Sequence, residues 1–176
     1  MGSKMTKIVL IGGPSCGKST LIEMLSRKGY NTIPEVAKDL ILKRGLINPR
    51  DKQKYSQLQD EIALEQTRRE NILYNEDTTF LDRGIHDNIA YCEKYLGLIP
   101  DLTKKLISEH KGYDRIFFLE RLPFVKKNFR IENDESEAIE LHNRILKVYQ
   151  NLGYNLEKIP ALPKEERLNY LLERVK

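Results

Sequence analysis

Residues Lys7 to Leu25 read KIVLIGGPSCGKSTLIEML, and no other stretch restricts the fold of this chain so tightly. Ile8, Val9, Leu10 and Ile11 form an unbroken, mostly β-branched run. A strand looks like this when both faces of its parallel sheet are covered. Gly12 ends the run, and Leu21, Ile22, Met24 and Leu25 then recur at helical spacing. Between them lies Gly12-x-x-x-x-Gly17-Lys18-Ser19, the phosphate-loop pattern in the strand–loop–helix setting that gives it meaning.

The residue types follow from the chemistry. A phosphate needs several donors converging on a small volume, and glycines let backbone N–H groups turn inward. The new helix contributes its positive end. Gly12, Gly13, Pro14, Ser15, Cys16, Gly17, Lys18, Ser19 and Thr20 are therefore expected to wrap the phosphates of ATP or GTP. Lys18 is expected to place its ammonium on the β/γ-phosphates, and Ser19 to offer its hydroxyl to Mg²⁺. Cys16 reads as a small loop residue, with a redox switch as the alternative.

Beyond the loop the chain alternates strand and helix patterns. Helices are predicted at about 18–27, 35–43, 51–73, 85–95, 101–110, 135–151 and 163–175. Strands are predicted at 30–33, 78–81, 116–119 and within YNLEKIP. This alternation implies a three-layer α/β domain with a five-stranded parallel sheet, spanning 1–176 without a linker. The 51–73 helix sets Tyr55, Leu58, Ile62 and Leu73 on one face, interrupted by Gln66 and Arg69. Either that end leaves the core or the polar groups line a cleft.

Ligands of such sheets bind beyond the carboxyl ends of the strands, so polar residues there are candidates. Asp82 closes an apolar strand, where a bare carboxylate is costly without a task. It suits Mg²⁺ organisation beside Ser19 or acceptance of a proton from a hydroxyl; the alternative is a helix cap. Arg83 can hold an anionic or hydroxylated substrate or serve a structural ion pair. Glu35 can orient or deprotonate a substrate hydroxyl, or favour a helix start. His86 and Asp87 fall in the first turn of a helix, where an acid is expected on dipole grounds, and are left out of the catalytic set. Arg121, Lys126, Lys127 and Arg130 crowd an irregular stretch, 121–133, read as a mobile lid over the transferring phosphoryl group. Arg130 is the first candidate in it and Arg121 the second.

Thirty Lys and Arg against 26 Asp and Glu give a net charge of +4. That is mild, and no aromatic-basic stripe accompanies it, so extended nucleic-acid binding is not expected. No apolar run approaches the roughly 20 residues of a membrane span. The two cysteines, Cys16 and Cys92, suit a reducing cytoplasm. Residues 1–4 read as an expression leader before Met5; an N-myristoylation pattern at Gly2 is the alternative.

The blocks GGPSCGKSTLIEML, IPEVAKDLI, FLDRGIHDNIAYC, YDRIFFLE and LGYNLEKIPALPKEERLNYLL resemble the AAA_28-type predicted P-loop ATPases. That group is related to the nicotinamide riboside kinase domain of bifunctional NAD-synthesis regulators. The resemblance covers nearly the whole chain and implies a nucleoside/nucleotide-kinase-like fold with strand order 2-3-1-4-5. It further implies that 160–163, including Ala161 and Leu162, borders the nucleotide base. Asp82 and Arg83 match the acidic-Arg pair after strand three of such kinases, Glu35 the acid after strand two, and Arg121 and Arg130 the lid arginines. The lid FVKKNFRIEND departs from the family in its lysines and lack of glycine.

The combined expectation is a Mg²⁺-dependent phosphotransferase moving the γ-phosphate of ATP or GTP to a small hydroxylated acceptor such as a nucleoside or nucleotide. The alternatives are a slowly hydrolysing regulatory nucleotide-binding protein and a polynucleotide 5′-kinase.

Overall fold

The computed structural model describes residues 6–72 and 78–175. Residues 1–4, Met5 and Leu73, which entered the sequence reading, lie outside the described residues. In chain order the elements are β1 (Lys7–Ile11), α1 (Lys18–Arg27), β2 (Asn31–Ile33), α2 (Val36–Arg44), α3 (Lys52–Ile72), β3 (Thr79–Asp82), α4 (Asp87–Tyr95), α5 (Asp101–Glu109), β4 (Arg115–Leu119), α6 (Glu135–Asn151), β5 (Leu156–Ile159) and α7 (Lys164–Val175).

The five strands form one parallel sheet in the order β2-β3-β1-β4-β5. In β1 alternate side chains enter opposite cores. Val9 and Ile11 join Leu81, Ile116, Phe118 and the α6 residues Ile145, Val148 and Tyr149. Ile8 and Leu10 join Phe80, Phe117, Leu21, Leu25, Leu168 and Leu171, from α1 and α7. The continuous apolar run of β1 is thus explained by cover on both faces. A third, smaller cluster of Val36, Tyr55, Leu58 and Ile62 joins α2 to α3. Among the described residues no helix is long and apolar enough to cross a membrane.

Element boundaries depart from the sequence reading by a residue or two, for identifiable reasons. Tyr30 is outside β2 because its N–H closes the end of α1 on the Leu25 carbonyl, at 3.1 Å. α4 starts at Asp87 rather than Ile85 because Asp87 caps the preceding turn, accepting from the Gly84 N–H at 3.3 Å. Asp51 stands just before α3, its carboxylate accepting from the Lys54 N–H at 3.1 Å. α5 stops at Glu109, since His110 turns extended and sends its ring to Glu70 at 2.8 Å.

Pairing of Leu10 with Asp82 on one side and Phe117 on the other brings the ends of β1, β3 and β4 to one edge. The phosphate loop, Asp82 and the 121–133 segment all leave the sheet there.

Candidate active site

The phosphate loop is shaped by positions that tolerate little side chain. Gly17 sits at φ 87°, the left-handed region that favours glycine. A Cβ on Gly13 would meet His142 Cβ at 2.8 Å and the Ala138 carbonyl at 3.0 Å. Ser15, with φ 62°, takes the left-handed conformation despite its side chain. Lys18 is buried, its Nζ donating to the carbonyls of Gly12 at 2.7 Å and Gly13 at 2.9 Å. The ammonium therefore lies inside the loop, in position to exchange those carbonyls for phosphate oxygens.

Two residues absent from the sequence reading hold this loop. His142, on α6, accepts the Gly13 N–H on Nδ1 at 3.0 Å. Burial, with Arg121 and Lys18 nearby, pushes its pKa down to about 4, so the ring stays neutral and can accept. Arg167, on α7, is 2% exposed. It donates to the carbonyls of Cys16 at 2.5 Å, Glu120 at 2.7 Å and Pro160 at 2.8 Å, joining the phosphate loop to the loops after β4 and β5. Neither position carries a local signal. His142 falls on the apolar face of α6, and Arg167 within an ordinary amphipathic helix.

Ser19 donates to Asp82 Oδ2 at 2.6 Å. Asp82 is 1% exposed, and its other oxygen, Oδ1, is buried without a hydrogen-bond partner. Burial, then the charge of Glu35, raises its carboxyl to about 6. A hydroxyl beside a carboxylate with a spare oxygen is a hard-oxygen donor set suited to Mg²⁺. No group of three or more His, Cys, Asp or Glu suited to a metal occurs among the described residues, so remaining ligands would come from phosphate and water, as Mg²⁺ commonly has them.

Arg83 adopts φ 75°, uncommon for a residue with a Cβ. The turn sends its guanidinium to Glu35 Oε1 at 2.9 Å and Asp87 Oδ2 at 3.4 Å, with the Tyr91 ring 5.2 Å away. Burial alone would raise the Glu35 pKa; Arg83 and Lys18 outweigh it and hold the carboxyl below its usual range. Asp87 also accepts from the Tyr149 hydroxyl at 2.7 Å. It is part of the site, whereas dipole grounds alone had accounted for it in the sequence. Arg83 is ion-paired, as its structural reading held, and it also lines the cavity.

The 121–133 segment lies on the phosphate loop. Val125 N–H donates to Ser15 Oγ at 2.8 Å, and Arg130 contacts the same hydroxyl and the Val125 carbonyl. The Arg130 guanidinium lies over the rings of Phe124, at 5.7 Å, and Phe129, at 5.8 Å, and Lys38 of α2 stands 5.3 Å from Phe129. Lys126 turns back to the carbonyls of Arg130 and Glu132. Arg121 instead pairs with Glu135 at the start of α6.

A cavity of about 640 Å³ runs from the phosphate loop into a chamber walled by α2, α3, α4 and the 121–133 segment. Lys18, Ser19, Thr20, Glu35, Arg83 and Arg130 line it. Arg121, Ala161 and Leu162 do not; Ala161 instead donates its N–H to Glu120 at 3.3 Å. The cavity is also lined by groups that the sequence reading missed as candidates: Gln59, Asn88, Tyr91 and the buried Glu132. Gln66 lines the cavity, as the cleft alternative required. Arg69 pairs with Glu65 and Asp39 at 2.8 Å and does not line it.

Sheet order and loop geometry together define the P-loop kinase/NTPase class. The family model AAA_28, described as an AAA domain, matches residues 7–167, and the chain belongs to this family. Similar solved structures include NadR in complex with NR, at 18% identity and TM-score 0.72, covering 97% of this chain and 50% of NadR. The chain thus spans about half the length of the NadR chain. Deoxyadenosine kinase from M. mycoides, with products dCMP and dCDP bound, is 14% identical with TM-score 0.64, covering 97% of this chain and 98% of the kinase. Thymidylate kinase from Candida albicans is 17% identical with TM-score 0.62, covering 98% and 91%. These likenesses are of fold. A search of curated proteins gives no match.

Proposed function

We propose that the protein is a Mg²⁺-dependent phosphotransferase that moves the γ-phosphate of ATP or GTP to a small hydroxylated acceptor of nucleoside or nucleotide type. The supporting observation is the continuity of the cavity. The phosphate loop opens into a walled chamber bearing Glu35, Arg83, Asp87 and Asn88, and a protein that only hydrolyses nucleotide has no use for a second chamber with charged groups in its wall. Its size suits one small molecule, which argues against a polynucleotide end in an extended groove.

In this reading Lys18 and the loop amides hold the phosphates. Ser19 and Asp82 hold Mg²⁺, which supplies positive charge to the phosphate oxygens. Glu35, ionised beside Arg83, orients and deprotonates the acceptor hydroxyl, and Arg83 fixes both that carboxylate and the acceptor. The 121–133 segment acts as the lid, with Arg130 offsetting charge on the transferring group. Arg121 serves as its anchor on α6, and 160–163 borders the base. The buried free thiols Cys16 and Cys92 suit a cytoplasmic protein.

The test is transfer of labelled γ-phosphate from ATP and GTP to a panel of nucleosides, nucleoside monophosphates and pyridine ribosides. Transfer to at least one acceptor, faster than to water, is expected. Release of phosphate at one rate with every acceptor and with none favours the regulatory nucleotide-binding reading instead.

A further inference from the structure

The reaction above makes no use of Arg167, one of the largest side chains buried among the described residues. It reaches from α7 to the phosphate loop. All three of its side-chain partners are main-chain carbonyls: Nη1 donates to Cys16 at 2.5 Å, Nη2 to Glu120 at 2.7 Å and Nε to Pro160 at 2.8 Å. A Cβ on Gly17 would stand 3.1 Å from Nη1, so the guanidinium lies against the residue that caps the start of α1. Cys16 and Gly17 line the cavity, whereas Arg167 does not.

This is an unfavourable place for a cation. The N-terminal end of a helix is itself positive, and the first turn of α1 carries no acid. Lys18 brings a second buried cation to the same helix end. Burial pushes the Arg167 pKa down, and the exposed Glu120, whose carboxylate accepts the Ala161 N–H at 3.3 Å, does not outweigh it. A guanidinium nevertheless keeps its charge at any ordinary pH, so an anion held in the loop relieves the strain. The backbone points the same way. A trans peptide sends its C=O and its N–H to opposite sides. Holding the Cys16 carbonyl therefore turns the Gly17 N–H away from Arg167.

We propose that Arg167 is a positioning residue for the donor triphosphate: from behind the loop it fixes the Gly17 N–H as a phosphate donor and holds a positive charge that the phosphates neutralise. The same guanidinium grips the loops after β4 and β5, so the phosphate loop cannot shift its Cys16–Gly17 peptide without loosening both. This inference rests on the triphosphate-binding part of the reading above and makes no use of the acceptor.

Calorimetry in the presence of Mg²⁺ tests it with two ligands, a non-hydrolysable ATP analogue and inorganic tripolyphosphate, which carries the charge without the base. Arg167→Met keeps much of the length and loses the charge and the fork; it should weaken each ligand that wild type binds by at least about tenfold. Arg167→Lys keeps the charge without the fork and should bind at least about threefold tighter than the Met variant. Linkage gives a readout that needs no substitution: if Arg167 favours phosphate, phosphate must tighten Arg167 on its carbonyls. In wild type with isotope-labelled arginine, solvent exchange of the Arg167 Nε proton, followed by NMR, should slow at least about tenfold when the tighter ligand saturates the loop. A purely structural Arg167 would lower the melting temperature of both variants and leave the affinity of the folded protein alone. Affinity within about threefold of wild type in a folded Met variant overturns the proposal, as does a Lys variant that binds no tighter than the Met variant. If both variants are unfolded the exchange rate decides, and an unchanged rate overturns it. Failure of wild type to bind either ligand removes the nucleotide reading and this inference with it. The expected affinities without transfer to any acceptor would sink the phosphotransferase reading and leave the role of Arg167 standing.

Discussion

At the scale of single residues, Asp82 carries a cost that a cation would relieve. Burial holds its carboxyl up at about 6 in the fold, against an ordinary 3.8. An acid whose pKa is raised by folding favours the folded state while protonated, and that benefit is lost as pH rises from 3.8 through 6. Ionised Asp82 therefore destabilises the free protein at neutral pH. Asp82→Asn is expected to raise unfolding free energy at pH 7.5 by about 1–3 kcal/mol, and by nearly nothing at pH 3.5. Added Mg²⁺ and nucleotide should stabilise wild type more than the variant. Urea denaturation at both pH values measures this; an Asn variant less stable at pH 7.5 would show that Asp82 already has a compensating partner. Asp82 and Ser19 were legible because each stands in or beside a contiguous motif, and a buried carboxylate at a strand end calls for an explanation. His142 and Arg167 were not. They act on loop backbone from helices more than a hundred residues away, and backbone partners, an N–H for His142 and a carbonyl for Arg167, leave no trace in the sequence.

At the scale of elements, helix and strand positions were legible where periodicity was strong and a cap or breaker stood nearby. α1 and α6 have the predicted bounds. The irregular 121–133 stretch was legible as charge without periodicity; Arg130, the first candidate in it, lines the cavity, and Arg121, the second, does not. Lys126 and Arg121 are drawn away by lid carbonyls and by Glu135, leaving Arg130 and Lys127 on the cavity. That partition follows from tertiary geometry. It also gives the lid a prediction. Arg130 is held at Ser15 and over two aromatic rings, so removing it frees the segment and, in the proposed reaction, removes charge from beside the transferring group. Arg130→Ala is expected to lower kcat by about 100-fold and to raise the KM for ATP far less, because the contact counts mainly in the transition state. Steady-state kinetics with the best acceptor checks this. A change confined to KM would place Arg130 in nucleotide binding alone. Arg121→Ala, acting only through the α6 anchor, should have the smaller effect on kcat.

At the scale of the whole molecule, alternation of strand and helix patterns implied the three layers, but strand order came only by resemblance. Alternation leaves open which edge each crossover takes, since many orders satisfy the same local pattern. Burial likewise sets a property spread across the fold, its response to acid. His86 is 5% exposed, within 5.7 Å of the rings of His110, Tyr113, Tyr149 and Tyr154, and its Nδ1 has no partner. Burial, then His110, pushes it down to about 4, the value His142 also reaches. A base with a depressed folded pKa resists protonation in the fold, so the unfolded chain binds more protons between about pH 4 and 6.5, and stability rises with pH there. Glu70, near 2 in the fold, adds a rise of the same sign below pH 4.5. Asp82 opposes the histidines between 3.8 and 6. The two histidines together contribute a gain of about 5 kcal/mol in unfolding free energy from pH 4 to 6.5, which Asp82 reduces to about 3 kcal/mol. His86→Phe keeps an aromatic ring in the cage and removes both the titration and the unpartnered nitrogen. It should stabilise the protein more at pH 5 than at pH 7.5 and flatten the profile. Chemical denaturation of wild type and variant across this range measures the two slopes. Equal slopes would mean that His86 takes up its proton in the fold as readily as in the unfolded chain, and the aromatic cage would then have to open to admit the charge.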